Sequence, residues 1–153
     1  MGLGPELIIN GGMEIGDPPT GWTIAGPTTT AERSNTHAHT GTYSFRTVEA
    51  TNNYNGFYQN IPITTGKKYR IAFWYWIESG EILAENTGGL LWFVGLTIKG
   101  SWQYYEVDII ATNSNPSPLQ FYSNGMPSEF FIDDVSAKEI KQTRQYLPIV
   151  GIG

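Results

Sequence analysis

Tyr69-Arg-Ile-Ala-Phe-Trp-Tyr-Trp-Ile-Glu78 alternates without a break. Side chains along an extended chain point to opposite faces in turn, so Tyr69, Ile71, Phe73, Tyr75 and Ile77 share one face. Arg70, Ala72, Trp74, Trp76 and Glu78 share the other. The first set is continuous, apolar and aromatic, which predicts a strand with a core face. The second carries two indoles between charged ends, on a face that would otherwise be open to water.

The same reading extends in both directions. After it, Trp102–Ala111 sets Tyr105, Val107 and Ile109 against Tyr104, Glu106, Asp108 and Ile110. Leu119 and Phe121 share a core face, with Gln120 and Tyr122 opposite. Phe131, Asp133 and Val135 alternate with Ile132, Asp134 and Ser136, and Leu90–Ile98 adds a further apolar strand. Before it, Phe57–Ile63 runs into the turn Thr65-Gly66, and Thr42–Val48 follows Thr40-Gly41. Trp22–Ala25 follows the turn cluster Asp17-Pro-Pro-Thr-Gly21, and Leu7–Ile9 ends at Asn10-Gly-Gly12. About eight to ten short strands and no helix describe an all-β, antiparallel two-sheet β-sandwich. Repeated blades of a propeller are not visible.

Composition agrees. The 153 residues suit one domain, and 18 Gly, 9 Pro and 14% aromatic residues against 15% charged ones suit strands joined by turns. A net charge of −5 with no basic run argues against a nucleic-acid partner. The absence of cysteine removes disulfides and thiolate metal sites. No apolar run reaches the roughly 20 residues of a membrane-spanning helix, so no membrane partner is expected.

Five motifs carry a family resemblance in order: Glu6-Leu-Ile-Ile-Asn-Gly-Gly-Met-Glu14 with Gly21-Trp22, Thr40-Gly-Thr-Tyr-Ser-Phe45, Tyr58-Gln-Asn-Ile61 with Thr65-Gly-Lys-Lys-Tyr-Arg-Ile-Ala-Phe-Trp74, Trp102-Gln-Tyr-Tyr-Glu-Val107, and Phe130-Phe-Ile-Asp-Asp-Val-Ser136. Together they resemble the jelly-roll carbohydrate-binding modules of families 4, 9 and 22. The resemblance divides the chain into an N-terminal arm (1–5), the jelly roll (6–140) and an apolar tail (141–153). It also implies a structural calcium held by Glu14, Asp133 and Asp134, with carbonyls of the 36–42 loop completing an oxygen shell. The alternative is that Asp134 only accepts hydrogen bonds from turn amides and so ties the ends of the sandwich together.

Sugar rings offer flat C–H faces bordered by hydroxyls, so a carbohydrate site needs aromatic platforms beside polar groups. Trp74, Trp76, Tyr104 and Tyr122 are the candidate platforms, with Arg70, Glu106 and Gln120 as hydrogen-bonding partners. The same aromatic face would equally suit contact with protein. Catalytic signals are sparse. His37 and His39 flank Ala38 in a polar stretch and read as a solvated loop or edge rather than a metal pair. No Gly-x-Ser-x-Gly elbow exists, and the spacing of Glu78, Glu106 and Asp108 does not determine a carboxylate pair in space. The chain therefore reads as a binding module rather than an enzyme.

The ends direct the expected role. The chain starts at Met1 without a secretory signal, and Tyr146, Leu147, Ile149, Val150 and Ile152 make its last residues apolar. Those features resemble bacteriophage virion accessory proteins, either capsid decoration (cement) or tail proteins. The first expectation is accordingly a virion component assembled in the host cytoplasm. It would bind viral coat protein through those five tail residues and itself form a homo-oligomer, with a trimer favoured. The alternative is a freestanding, extracellular module that binds polysaccharide through an aromatic cleft.

Overall fold

A computed structural model describes residues 2–28, 30–114 and 116–142. They form two packed antiparallel sheets with no helix among them, so the expected jelly-roll sandwich is the fold. The strands are β1 (Gly2–Leu3), β2 (Thr23–Ala25), β3 (Thr30–Ser34), β4 (Ser44–Glu49), β5 (Gly56–Ile61) and β6 (Lys68–Ser79), then β7 (Ile82–Asn86), β8 (Trp92–Leu96), β9 (Gln103–Ile110), β10 (Ser117–Ser123) and β11 (Ser128–Lys141). One sheet runs β3-β4-β11-β6-β9, with β1 paired to the end of β11; the other runs β2-β5-β10-β7-β8. The first is the six-stranded sheet and the second the five-stranded sheet.

The core lies where the inner faces meet. Phe45 of β4 stacks on Phe57 of β5 with centroids 3.7 Å apart, and Phe73 of β6 meets Phe121 of β10 edge-on at 4.8 Å. Each pair bridges the two sheets, and all four rings are fully buried. Burial of this kind makes truncation of one such ring to alanine cost about 3–5 kcal/mol. The parity expected for β6 holds, because Tyr69, Ile71, Phe73, Tyr75 and Ile77 are all in the core. Tyr105, Val107 and Ile109 of β9 pack against the same core, again as their spacing predicts.

Several expectations need correction. Leu7–Ile9 is not a strand. This segment follows β11 irregularly, with Gly4 N donating to Glu139 O at 2.8 Å and Leu7 N to Ala137 O at 2.9 Å. The Glu6 carboxylate accepts from Leu7 N, Ile8 N and Ala137 N in place of a ladder. The expected arm instead supplies β1, since Gly2 and Leu3 pair with Lys141 and Ile140. Strands β3 and β7 were not anticipated.

Strict alternation also fails in β11, where the pairing with β6 shifts between Asp133 and Ser136. Asp134 sits there at φ 49°, a left-handed conformation that Asp tolerates better than most residues. The extra residue changes the parity, so Val135 joins the core while Phe131 and Asp133 lie on the outer side. Tyr146, Leu147, Ile149, Val150 and Ile152 lie outside the described residues.

Candidate functional site

The seven residues expected to form one ligand site are divided between opposite outer faces. Arg70, Trp74, Trp76, Tyr104 and Glu106 lie on the six-stranded sheet, whereas Gln120 and Tyr122 lie on the five-stranded one. Alternation placed each residue correctly relative to its own strand. It could not say which sheet that strand joins.

On the six-stranded face, the two indoles are covered by the chain itself. His37 stacks on Trp76 at 3.9 Å and 17°, and His39 stacks on Trp74 at 3.8 Å and 15°. Trp102 closes the edges, 5.7 Å from His39 and 6.1 Å from Trp76. His37 also lies edge-on to Phe131 at 4.8 Å. The histidines are therefore neither a solvated loop nor an edge; they are lids on flat aromatic surfaces. A sugar could not take those surfaces without displacing them.

The carboxylates named as calcium ligands hold this lid in place. Asp133 is fully buried and its Oδ2 accepts from His39 N at 2.9 Å and Thr40 N at 3.3 Å, while Oδ1 accepts from Asp134 N at 2.7 Å. Asp134 accepts from Thr40 Oγ1 at 2.7 Å and lies 2.6 Å from His39 Nδ1. Glu14 accepts from Thr42 N and Tyr43 N, each at 2.7 Å. Gly41, at φ 65°, permits this approach, because a Cβ there would lie 2.4 Å from Glu14 Oε1. Burial, with the charge of Asp134 second, pushes the Asp133 carboxyl up to about 7 against the pull of its amide donors.

As arranged, Glu14, Asp133 and Asp134 are engaged by the chain's own donors. Among the described residues no three His, Asp or Glu side chains come together as a metal cluster. The oxygens of Glu14 and Asp133 face amide donors, the role expected of Asp134, whose own oxygens meet the Thr40 hydroxyl and the His39 ring instead.

The five-stranded face is different. Cross-strand register aligns Thr23, Tyr58, Gln120, Glu85 and Phe93 in one row across β2, β5, β10, β7 and β8. All five have the parity opposite to the core residues Phe57, Leu119, Phe121 and Ala84. In the next row Tyr122 pairs with Leu83. Tyr122 Oη donates to Gln120 Oε1, and Gln120 Nε2 donates to Glu85 Oε1 at 3.3 Å and to Thr87 Oγ1 at 3.4 Å. Burial pushes the Glu85 carboxyl up. It also raises the Tyr122 hydroxyl, with smaller contributions from Glu85 and Tyr58.

At the β8 edge the Phe93 ring is 76% exposed. A cavity of about 300 Å³ opens there between Glu85, Asn86, Thr87, Leu91, Trp92 and Phe93. The face thus presents three aromatic rings around a connected polar centre. Sequence reading missed Tyr58, Glu85 and Phe93. Tyr58 was recoverable from its alternation with Phe57; Phe93 lies in an apolar run that shows no parity, and β7 was not recognised.

Comparison with known proteins follows the same line. A family model described as a carbohydrate binding domain, of families 4 and 9, matches residues 5–129. No curated protein matches the chain. Among solved structures, the CBM22-1 xylan-binding domain of Xyn10C from Paenibacillus barcinonensis aligns with a TM-score of 0.72 at 16% identity, covering 94% of this chain and 99% of that one. The module TmCBM61, solved with beta-1,4-galactotriose, aligns with a TM-score of 0.67 at 20% identity, covering 89% and 99%. Tailspike protein 4 of bacteriophage CBA120 also aligns, with a TM-score of 0.72 at 17% identity, covering 88% of this chain but 21% of the tailspike chain. At these identities the likeness is one of fold, and the tailspike does not support the expected virion role. The coat-protein expectation rested on tail residues outside those described and the trimer on a capsid role that these comparisons do not support, and the family match favours carbohydrate binding instead.

Proposed function

The chain belongs to the family of carbohydrate-binding domains, and from that premise we propose that it is a non-catalytic module that binds polysaccharide on the outer face of its five-stranded sheet. The observation that carries this reading is the row Thr23–Tyr58–Gln120–Glu85–Phe93, over which no ring is stacked among the described residues, set against indoles that are capped by histidines on the other face.

Five strands spaced ~4.8 Å apart extend such a row over roughly 19 Å, enough for several linked rings lying across the strands. Tyr58, Tyr122 and Phe93 provide apolar faces for C–H surfaces. Gln120 and Glu85 provide an amide and a carboxyl for hydroxyls, and their mutual hydrogen bond holds them in position before a ligand arrives. Xylan and β-1,4-linked galactan, the sugars associated with two structural neighbours, are the first ligands to try.

Affinity electrophoresis through gels containing xylan, β-1,4-galactan and β-glucan tests the reading. Wild-type protein should be retarded by at least one of them. The double variant Phe93→Ala/Tyr122→Ala should lose at least tenfold in affinity, while Trp76→Ala keeps it. Free migration of folded wild-type protein through every gel would refute the proposal.

A further inference from the structure

The six-stranded face holds a second recess, beyond the capped indoles. It is a cavity of about 250 Å³ whose floor is formed by Ala72 and Ser136, paired across β6 and β11. Small side chains at these two positions leave a depression between the Trp74 level and the Arg70–Lys138 level of the sheet. Tyr104 and Glu106 wall it on the β9 side, and Asp134 bounds it on the β11 side. The volume falls just under the ~300 Å³ lower end of ordinary small-molecule pockets, which suits a single ring.

The charges lining this recess are not equivalent. Glu106 is held by Tyr104 Oη at 2.7 Å and lies 3.7 Å from Arg70 Nε. Asp134 is held by His39 and Thr40. Arg70 is drawn sideways onto Asp108, with Nε to Oδ1 at 2.9 Å and Nη2 to Oδ2 at 3.1 Å, a pairing that raises the guanidinium and lowers the carboxyl. Lys138 has no comparable partner among the described residues. It stands directly opposite Arg70 in the β11–β6 register, and Asp108 and Glu106 balance the Arg70 charge, leaving the Lys138 ammonium as the cation of that pair without such a partner. The carboxylates of the recess keep their charge but have their oxygens held by the chain's own groups, and among the described residues the charged lining group without an internal partner is the Lys138 ammonium, beside a Tyr104 ring that is 50% exposed.

We propose that this recess is a second ligand site, specific for a single sugar ring that carries a carboxylate, a hexuronate residue. The carboxylate pairs with the Lys138 ammonium and with a remaining N–H of Arg70. The ring lies against Tyr104, and Ser136 on the floor meets a hydroxyl. A neutral sugar leaves Lys138 unmatched; a small anion leaves Tyr104 uncovered.

The test is titration of isotope-labelled protein, followed by amide chemical shifts, with D-glucuronate, D-glucose and acetate as separate probes. Glucuronate should shift amides of Ser136, Lys138 and Tyr104, with saturation at a concentration at least tenfold below any response to the other two. Lys138→Gln should weaken glucuronate by tenfold or more and Lys138→Arg by much less. The Phe93→Ala/Tyr122→Ala variant should bind glucuronate like wild type, so this site can stand or fall separately from the five-stranded face. Equal responses to glucose and glucuronate, a response to acetate matching that to glucuronate, or shifts confined to the Tyr58–Phe93 row would each overturn the proposal.

Discussion

The two outer faces of this sandwich carry similar inventories and do opposite things with them. Each has large aromatic side chains next to carboxylates. On the six-stranded sheet, Trp74 and Trp76 are stacked against His39 and His37, and the loop carrying those imidazoles is tied down by Glu14, Asp133 and Asp134. On the five-stranded sheet, Tyr58, Tyr122 and Phe93 surround Gln120 and Glu85 with no ring stacked over them among the described residues. An outward aromatic residue is therefore a binding platform only where the chain has not already supplied a ring to cover it. The indoles of the first face are packed against the chain's own rings, and those of the second are the platforms of the proposed polysaccharide site.

The largest effect that would break this contrast is on the lid. His39→Ala removes a stacked ring pair, worth about 0.5–1.5 kcal/mol, together with a partly exposed contact to Asp134. The expected loss is about 1–2 kcal/mol, or roughly 2–8 °C in Tm for a domain of this size. Tryptophan fluorescence should shift to the red as Trp74 meets water, with polysaccharide affinity unchanged. An unaltered Tm and emission maximum would mean that the stack does not hold the face closed.

The same contrast is sharpened through pH. The folded Asp133 carboxyl lies near 7, above the 3.8 of an unperturbed Asp, so between those values the folded state retains a proton that the unfolded state has released. Stability from this group is fully present below about pH 4 and declines as pH rises through 7. Melting temperatures measured from pH 4 to 8 should show that decline in wild type and a flatter profile in Asp133→Asn. Matching slopes would place the titration elsewhere.

Much of the fold was legible because alternation is a local property. The core parity of Tyr69–Ile77 and Tyr105–Ile109 was readable from spacing alone. Parity failed at Asp134, where one extra residue in β11 reverses the faces of everything after it. The site was less legible, since assembling it needs the sheet to which each strand belongs. Trp74 and Tyr122 both point outward, yet they point outward from different sheets. The lid was hidden for the same reason. Nothing in His37-Ala-His39 announces that a loop 94 residues away in sequence from Asp133 will be laid on Trp74 and held there by that carboxylate.

Ligand mapping distinguishes the two outer faces. Isotope-labelled protein is titrated with an oligosaccharide of whichever polysaccharide retards it, and the perturbed amides are placed on the two sheets. A continuous band through Tyr58, Gln120, Glu85 and Phe93 is expected, with Trp74 and Trp76 unmoved. A band centred on Trp74, Trp76 and the His37–His39 loop, with the five-stranded face silent, would contradict it.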